Sequence, residues 1–237
     1  MTGKMSALFL LALTLTGACG PSPNPTPLSL LTPTHPGDPP VTPNLNGVTV
    51  PSGQLLFQDD FSRPASGWEV FAEAQASATY TDGEYRLRLN QAPLRAWALL
   101  RGADLPNDVT IVVTGYPYFR SASGGYGVIC RFTDAEHYYF FLLTPDGSYI
   151  IGKRSGGKQV GLSSPKVQPS AAILPGDVPN RLTVECAGHR LKLAINATPV
   201  AAVTDDEFST GQVGLLAVAT QSAGVEAHFD DLAIYAP

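Results

Sequence analysis

Residues 180–196 read NRLTVECAGHRLKLAIN. Leu182, Val184 and Cys186 alternate with Arg181, Thr183 and Glu185. After Gly188-His189, Leu191, Leu193 and Ile195 alternate with Lys192 and Asn196. Successive side chains of a strand point to opposite faces, so a period of two marks a strand with one buried face. Two such runs joined by a glycine-containing turn predict an antiparallel hairpin. The same pattern recurs outward in both directions. Tyr85, Leu87 and Leu89 alternate with Glu84, Arg86 and Arg88, and Val109, Ile111 and Val113 with Thr110 and Thr114. Turn signals such as Asp82-Gly83 and Pro145-Asp146-Gly147 separate the runs. No helical stripe appears. About a dozen short strands from residue 53 to residue 237 predict an all-β, two-sheet antiparallel jelly-roll sandwich, with a closed barrel as the lesser option.

The rest of the chain divides into two further parts. Lys4 precedes an apolar run beginning at Ala7 and ending near Leu15-Thr16-Gly17-Ala18-Cys19. A membrane span needs about 20 apolar residues, so a run of roughly ten reads as the core of an export signal. Small residues just before a cysteine resemble the lipobox of bacterial lipoproteins, which implies cleavage at Cys19 and a lipid on that residue. Thr16 departs from the leucine usual three places before the cysteine, and cleavage after Ala18 without lipid is the other reading. Residues 1–19 are therefore read as a lipoprotein signal. Residues 20–52 are rich in proline, which lacks an amide donor and fixes φ, so neither helix nor ladder is expected. This stretch is read as a disordered, semi-extended tether that lifts the domain off a membrane, with His35 isolated in it.

Composition narrows the function. Hydrophobic residues make up 44% and charged residues 15%, enough apolar content for a core under a neutral, polar surface. The net charge is −5 and no run of Lys or Arg occurs, which argues against a nucleic-acid partner. With Cys19 assigned to lipid, Cys130 and Cys186 are left as a pair in an oxidising compartment, where a disulfide is expected; two buried free thiols are the alternative. If their strands were antiparallel neighbours with the cysteines opposed, Arg131 would face Glu185.

Several stretches together carry a resemblance. They are Phe57-Gln58-Asp59-Asp60-Phe61-Ser62 with Gly67-Trp68, Gly127–Phe132 with Tyr138–Phe141, Asn180–Cys186, and Phe229-Asp230-Asp231-Leu232-Ala233-Ile234-Tyr235. They are similar to the concanavalin A-like, laminin-G-like jelly rolls of bacterial envelope lipoproteins. That group includes the domains linked by name to 3-keto-disaccharide hydrolysis. The resemblance spans roughly residues 54–236 and implies the fold. It leaves function open, because this architecture hosts lectins, glycanases and adhesion modules.

No catalytic constellation stands out. Glycanases of this class carry Glu-x-Asp-x-x-Glu on one strand, and no such run occurs. The histidines, at 35, 137, 189 and 228, lack metal-binding spacing, and no G-x-S-x-G elbow marks a nucleophile. Aromatic residues cluster in Tyr116-Pro117-Tyr118-Phe119 and His137-Tyr138-Tyr139-Phe140-Phe141. In the second run one alternating set is core and the other can face a ligand. Arg86, Arg88, Trp97, Arg131, Tyr139 and Tyr149 form the expected sugar-binding set, with aromatic faces for stacking and guanidinium groups for hydroxyls. Asp59 or Asp60 in the first strand and Asp230 or Asp231 in the last could share a structural calcium, the one cofactor considered. The expected role is a surface-tethered binding or interaction module, with the membrane held through a lipid anchor and glycans as the ligand class. A sugar-processing enzyme and a purely structural envelope domain remain alternatives.

Overall fold

A computed structural model describes residues 53–119 and 123–237. The expected signal, Cys19 and the tether lie outside the described residues. Sixteen strands follow one another: β1 (Leu55–Asp59), β2 (Phe71–Ala72), β3 (Ala76–Thr81), β4 (Glu84–Leu89), β5 (Leu94–Leu99), β6 (Val109–Phe119), β7 (Gly124–Asp134) and β8 (His137–Thr144); then β9 (Ser148–Ser155), β10 (Lys158–Gly161), β11 (Gln168–Pro169), β12 (Asn180–Ala187), β13 (Arg190–Ile195), β14 (Thr198–Thr204), β15 (Gln212–Ala219) and β16 (Val225–Tyr235). They form two antiparallel sheets. The large sheet runs β14-β13-β12-β6-β16-β4-β3-β2, with β1 also paired to β16. The small sheet runs β10-β9-β8-β7-β15-β5, with β11 also paired to β9. The fold is the expected jelly-roll sandwich, first and last strands side by side.

The alternation read from residues 180–196 becomes a hairpin in register, with Leu182 opposite Ile195 and Cys186 opposite Leu191. The inward rows of both sheets interlock into the main core. From the large sheet come Tyr85, Leu87, Ile111, Leu182, Leu193 and Phe229, and from the small sheet Tyr126, Val128, Tyr139, Phe141, Ile151 and Leu215, all essentially inaccessible to water. Burying each such side chain contributes about 1.5–3 kcal/mol against the entropy of ordering the chain.

Cys130 and Cys186 are bonded, as expected, but not across neighbouring strands. Cys130 is on β7 of the small sheet and Cys186 on β12 of the large one, so the disulfide crosses the core between sheets. The juxtaposition of Arg131 with Glu185 therefore does not occur. Register slips on β7 after Cys130, where Arg131 adopts φ 51°, a β-bulge that turns its side chain away. Arg131 instead pairs with Asp108 at 2.8 Å and donates to the Phe208 carbonyl. Glu185 pairs with Lys192 beside it on β13.

The outer face of the small sheet is concave. Arg95 on β5 donates to Gln159 on β10 at 2.8 Å, although these are opposite edges of the sheet. Five strand spacings would separate them by about 24 Å if the sheet were flat. The sheet therefore coils until side chains from its two edges meet over this face. The trough is filled by a second apolar layer of Trp97, Phe132, Tyr138, Phe140, Leu142 and Leu216. Glycine opens the room for it: a Cβ at Gly152 would run into the Phe140 ring, and one at Gly127 into the Phe141 carbonyl.

Candidate functional site

The sugar-binding set expected from the sequence does not assemble, because its members belong to different faces. Tyr139 points into the core, where its hydroxyl donates to Asp205 at 2.6 Å and accepts from the Phe208 amide. Burial, together with the Asp205 carboxylate, pushes that phenol up to about 12. Tyr149 also faces inward, packed against the core with its hydroxyl toward the Val200 carbonyl. Trp97 lies on the concave face but is only 8% exposed, wedged between Phe132 and Tyr138 at 5.4 and 6.0 Å. Arg131 is 2% exposed and tied to Asp108. Only Arg86 and Arg88 stand on an accessible face, the outside of the large sheet.

The expected calcium donors are also otherwise engaged. Asp59 accepts the Phe61 amide and the Ser66 hydroxyl, which shapes the turn after β1. Among the described residues, no three His, Cys, Asp or Glu side chains gather to hold a metal ion.

Around Arg86 and Arg88 a polar patch is built from three adjacent strands. On β4 the outward residues are Glu84, Arg86 and Arg88, on β16 Glu226, His228 and Asp230, and on β6 Thr114, Tyr116 and Tyr118. The ladders align them in rows. Arg86, His228 and Tyr116 are in register, and so are Arg88, Glu226 and Tyr118. The His228 ring stacks on Tyr116 at 5.2 Å and 21°, with Tyr118 edge-on at 6.2 Å. Glu84 joins the rows: it accepts the Tyr116 hydroxyl, and its Oε2 stands 2.7 Å from His228 Nδ1. Burial, then that bond to Glu84, holds the Tyr116 phenol well above the ordinary range, so it stays a donor at every physiological pH. Glu226 pairs with Arg88 at 3.2 Å and approaches His228 Nε2 at 3.5 Å. Arg86 Nε is buried without a hydrogen-bond partner. Tyr118, 58% exposed, is the large aromatic side chain this face presents to water.

The same face continues across β12. Arg181 donates to Thr114 at 3.3 Å, and beyond it lies a hollow of about 400 Å³. The small residues Thr110, Thr183, Ala194 and Ala202 line it, flanked by the Glu185–Lys192 pair. Chemically the face combines aromatic surface with carboxylate acceptors, guanidinium donors and an imidazole.

Asp230 closes one end of the patch, and its carboxyl is raised above the ordinary range by burial and by the charges of Asp231, Glu84 and Asp60. A raised carboxylate favours the folded state only while protonated, so at neutral pH its charge is a cost. Asp230→Asn is expected to stabilise the domain at pH 7 by about 0.5 kcal/mol, the scale of like charges facing across strands. The gain should shrink as the pH falls through Asp230's native pKa and vanish below the ordinary carboxylate range. Thermal melts of the two proteins between neutral and acid pH read this directly.

The outward alternation of Glu84, Tyr116, Tyr118, Glu226 and His228 is visible in the sequence. What joins them, the pairing of β16 with both β4 and β6, is not.

No protein-family model matches the chain, and no curated protein matches it. Solved structures do. Bacillus licheniformis β-glucanase superposes with a TM-score of 0.55 at 11% identity, covering 78% of this chain and 99% of that one. A Bacillus subtilis protein of unknown function with a galectin-like fold gives 0.52 at 13%, covering 78% and 96%. The GlcNAcα1-4Gal releasing endo-β-galactosidase of Clostridium perfringens gives 0.57 at 8%, covering 84% of this chain and 65% of that one. At such identities the likeness establishes the fold, a concanavalin A-like jelly roll, and nothing finer.

Proposed function

We propose that this domain is a glycan-binding module, held at the cell envelope through a lipid on Cys19 and the proline-rich stretch after it. The observation that carries the binding reading is Tyr118, an exposed ring set over the Tyr116–His228 stack and beside the Arg88–Glu226 pair. A pyranose ring offers apolar C–H faces and equatorial hydroxyls. It needs an aromatic platform with convergent donors and acceptors, which is what this face supplies. Two of the similar structures are named for action on carbohydrate, a β-glucanase and an endo-β-galactosidase, and that supports the ligand class.

The test is a glycan array on the purified domain, followed by calorimetry with the best ligand. Tyr118→Ala is expected to weaken binding about tenfold or more, the scale of an interface aromatic worth at least 1.4 kcal/mol, with the melting temperature nearly unchanged because the ring is exposed. Unaltered affinity in that variant would remove the site from this face. Conversion of a 3-keto-disaccharide by the same preparation would make the protein an enzyme instead. Anchoring is tested separately: a fatty-acid probe should label the exported chain, and Cys19→Ser should lose the label.

A further inference from the structure

The concave face of the small sheet holds a feature that the glycan reading does not use. Arg95 is 2% exposed, yet among the described residues no carboxylate pairs with it. Its Nη1 donates to the Tyr138 hydroxyl at 2.8 Å and its Nη2 to Gln159 Oε1 at 2.8 Å, both neutral acceptors. Its Nε has no hydrogen-bond partner at all. A second buried arginine stands in the same place. Arg154 is opposite Tyr138 on one side and Gln159 on the other, so the three share one row, and Arg95 reaches over from the far edge to touch both its neighbours. The Trp97 indole lies against Tyr138. Burying the Arg95 guanidinium without a counter-charge is costly, and a second positive charge nearby adds to that cost. The sequence tolerates this at a place where an apolar side chain would pack well.

We propose that Arg95, Arg154 and the Tyr138 hydroxyl form a recognition site for a single oxyanion, a carboxylate or a sulfate ester such as acidic sugars carry, with the Gln159 amide occupying its place in the free protein. A planar guanidinium binds either anion through paired N–H groups, and such charge-assisted bonds are about twice as strong as those to a neutral amide. The mutual effect of the two arginines fits. Burial, then the charge of Arg95, lowers the Arg154 pKa, and Tyr138 and then Glu136 oppose this only in part. Access follows from the position of Gln159. It is half-buried on β10, an edge strand of four residues whose Lys158 and Val160 are exposed. Moving that one side chain opens the Arg95 guanidinium to solvent. The site is on the opposite sheet from Tyr118, so it stands or falls independently of the glycan patch.

The experiment is thermal melting of the folded domain with sodium glucuronate, sodium sulfate or sodium chloride at matched ionic strength, for the native protein, Arg95→Met and Gln159→Ala. A ligand that binds only the folded state raises the melting temperature in proportion to log concentration once in excess. The native domain should rise by a few degrees with glucuronate or sulfate above chloride, and which of the two does so separates carboxylate from sulfate recognition. Arg95→Met should lose that specific rise while melting a few degrees higher than the native domain without ligand, because it removes a buried unpaired charge. Any general salting effect of sulfate would persist in it. Gln159→Ala should respond at lower anion concentration, since no amide competes. A destabilised or unfolded Arg95→Met would assign the arginine a structural role and overturn the proposal. So would a specific rise that survives in Arg95→Met, or its absence in both the native domain and Gln159→Ala.

Discussion

A Cys130→Ala, Cys186→Ala double variant is expected to unfold about 4 kcal/mol more easily than the native domain. The disulfide closes a loop with a sequence separation of 56 residues. In the chain-entropy account a cross-link of that span removes about 4 kcal/mol of freedom from the unfolded chain. For a domain of this size the loss corresponds to a fall of about 8–16 °C in melting temperature. The position of the bond adds a second expectation. Cys130 and Cys186 are both buried in the core between the sheets, so a reductant should reach them only when the domain opens. Reduction of the native protein should therefore be slow and should accelerate steeply near the melting transition. Non-reducing mass spectrometry, which reads the two missing hydrogens, follows both. A double variant that melts with the native domain would show that inter-sheet packing alone holds the sandwich.

Asn180→Leu is expected to cost about as much, although it makes the position more apolar. Asn180 is 1% exposed at the start of β12 and serves as a hub. Its Oδ1 accepts the Leu174 amide at 2.8 Å and Asn196 Nδ2 at 2.9 Å. Its Nδ2 group lies within hydrogen-bonding reach of the Leu174 and Val178 carbonyls and the Tyr126 hydroxyl. One side chain thus ties the segment before β12 to the turn after β13 and to β7 of the other sheet. Leucine would leave these groups buried and unsatisfied, each at about 1–3 kcal/mol before relaxation. A net loss of about 3–5 kcal/mol is expected, measured as a shift of the urea midpoint at unchanged slope. A loss below about 1 kcal/mol would mean water replaces the amide and the hub is dispensable.

Neither expectation could be formed from the sequence in this form. The pairing of Cys130 with Cys186 was legible, because both sit on apolar faces and the lipobox resemblance sets Cys19 aside. That they join two sheets was not, since nothing local states which strand neighbours which. The aromatic run at 137–141 illustrates the same limit. Its alternation requires Tyr139 and Phe141 to share one face and Tyr138 and Phe140 the other. Only packing shows that Tyr139 is core, and that Tyr138 lies in a trough already filled by Trp97 and Phe132. The same holds for Arg86 and Arg88. Their outward direction followed from Tyr85, Leu87 and Leu89. Their partners Glu226, His228 and Tyr116 lie far off in the chain.

What the sequence by itself determined is parity: the period-two pattern assigns each strand residue to a face, and with it the all-β class and the inward direction of both cysteines. That information is local, because a strand's side-chain alternation depends only on adjacent peptide units. What only the tertiary structure decided is which faces meet. Strand order, the bulges at Arg131 and Asp231, and the coiling that carries Arg95 to Gln159 depend on packing summed over the whole sandwich. The polar patch on β4, β16 and β6 and the arginine pair in the trough both arise at that level.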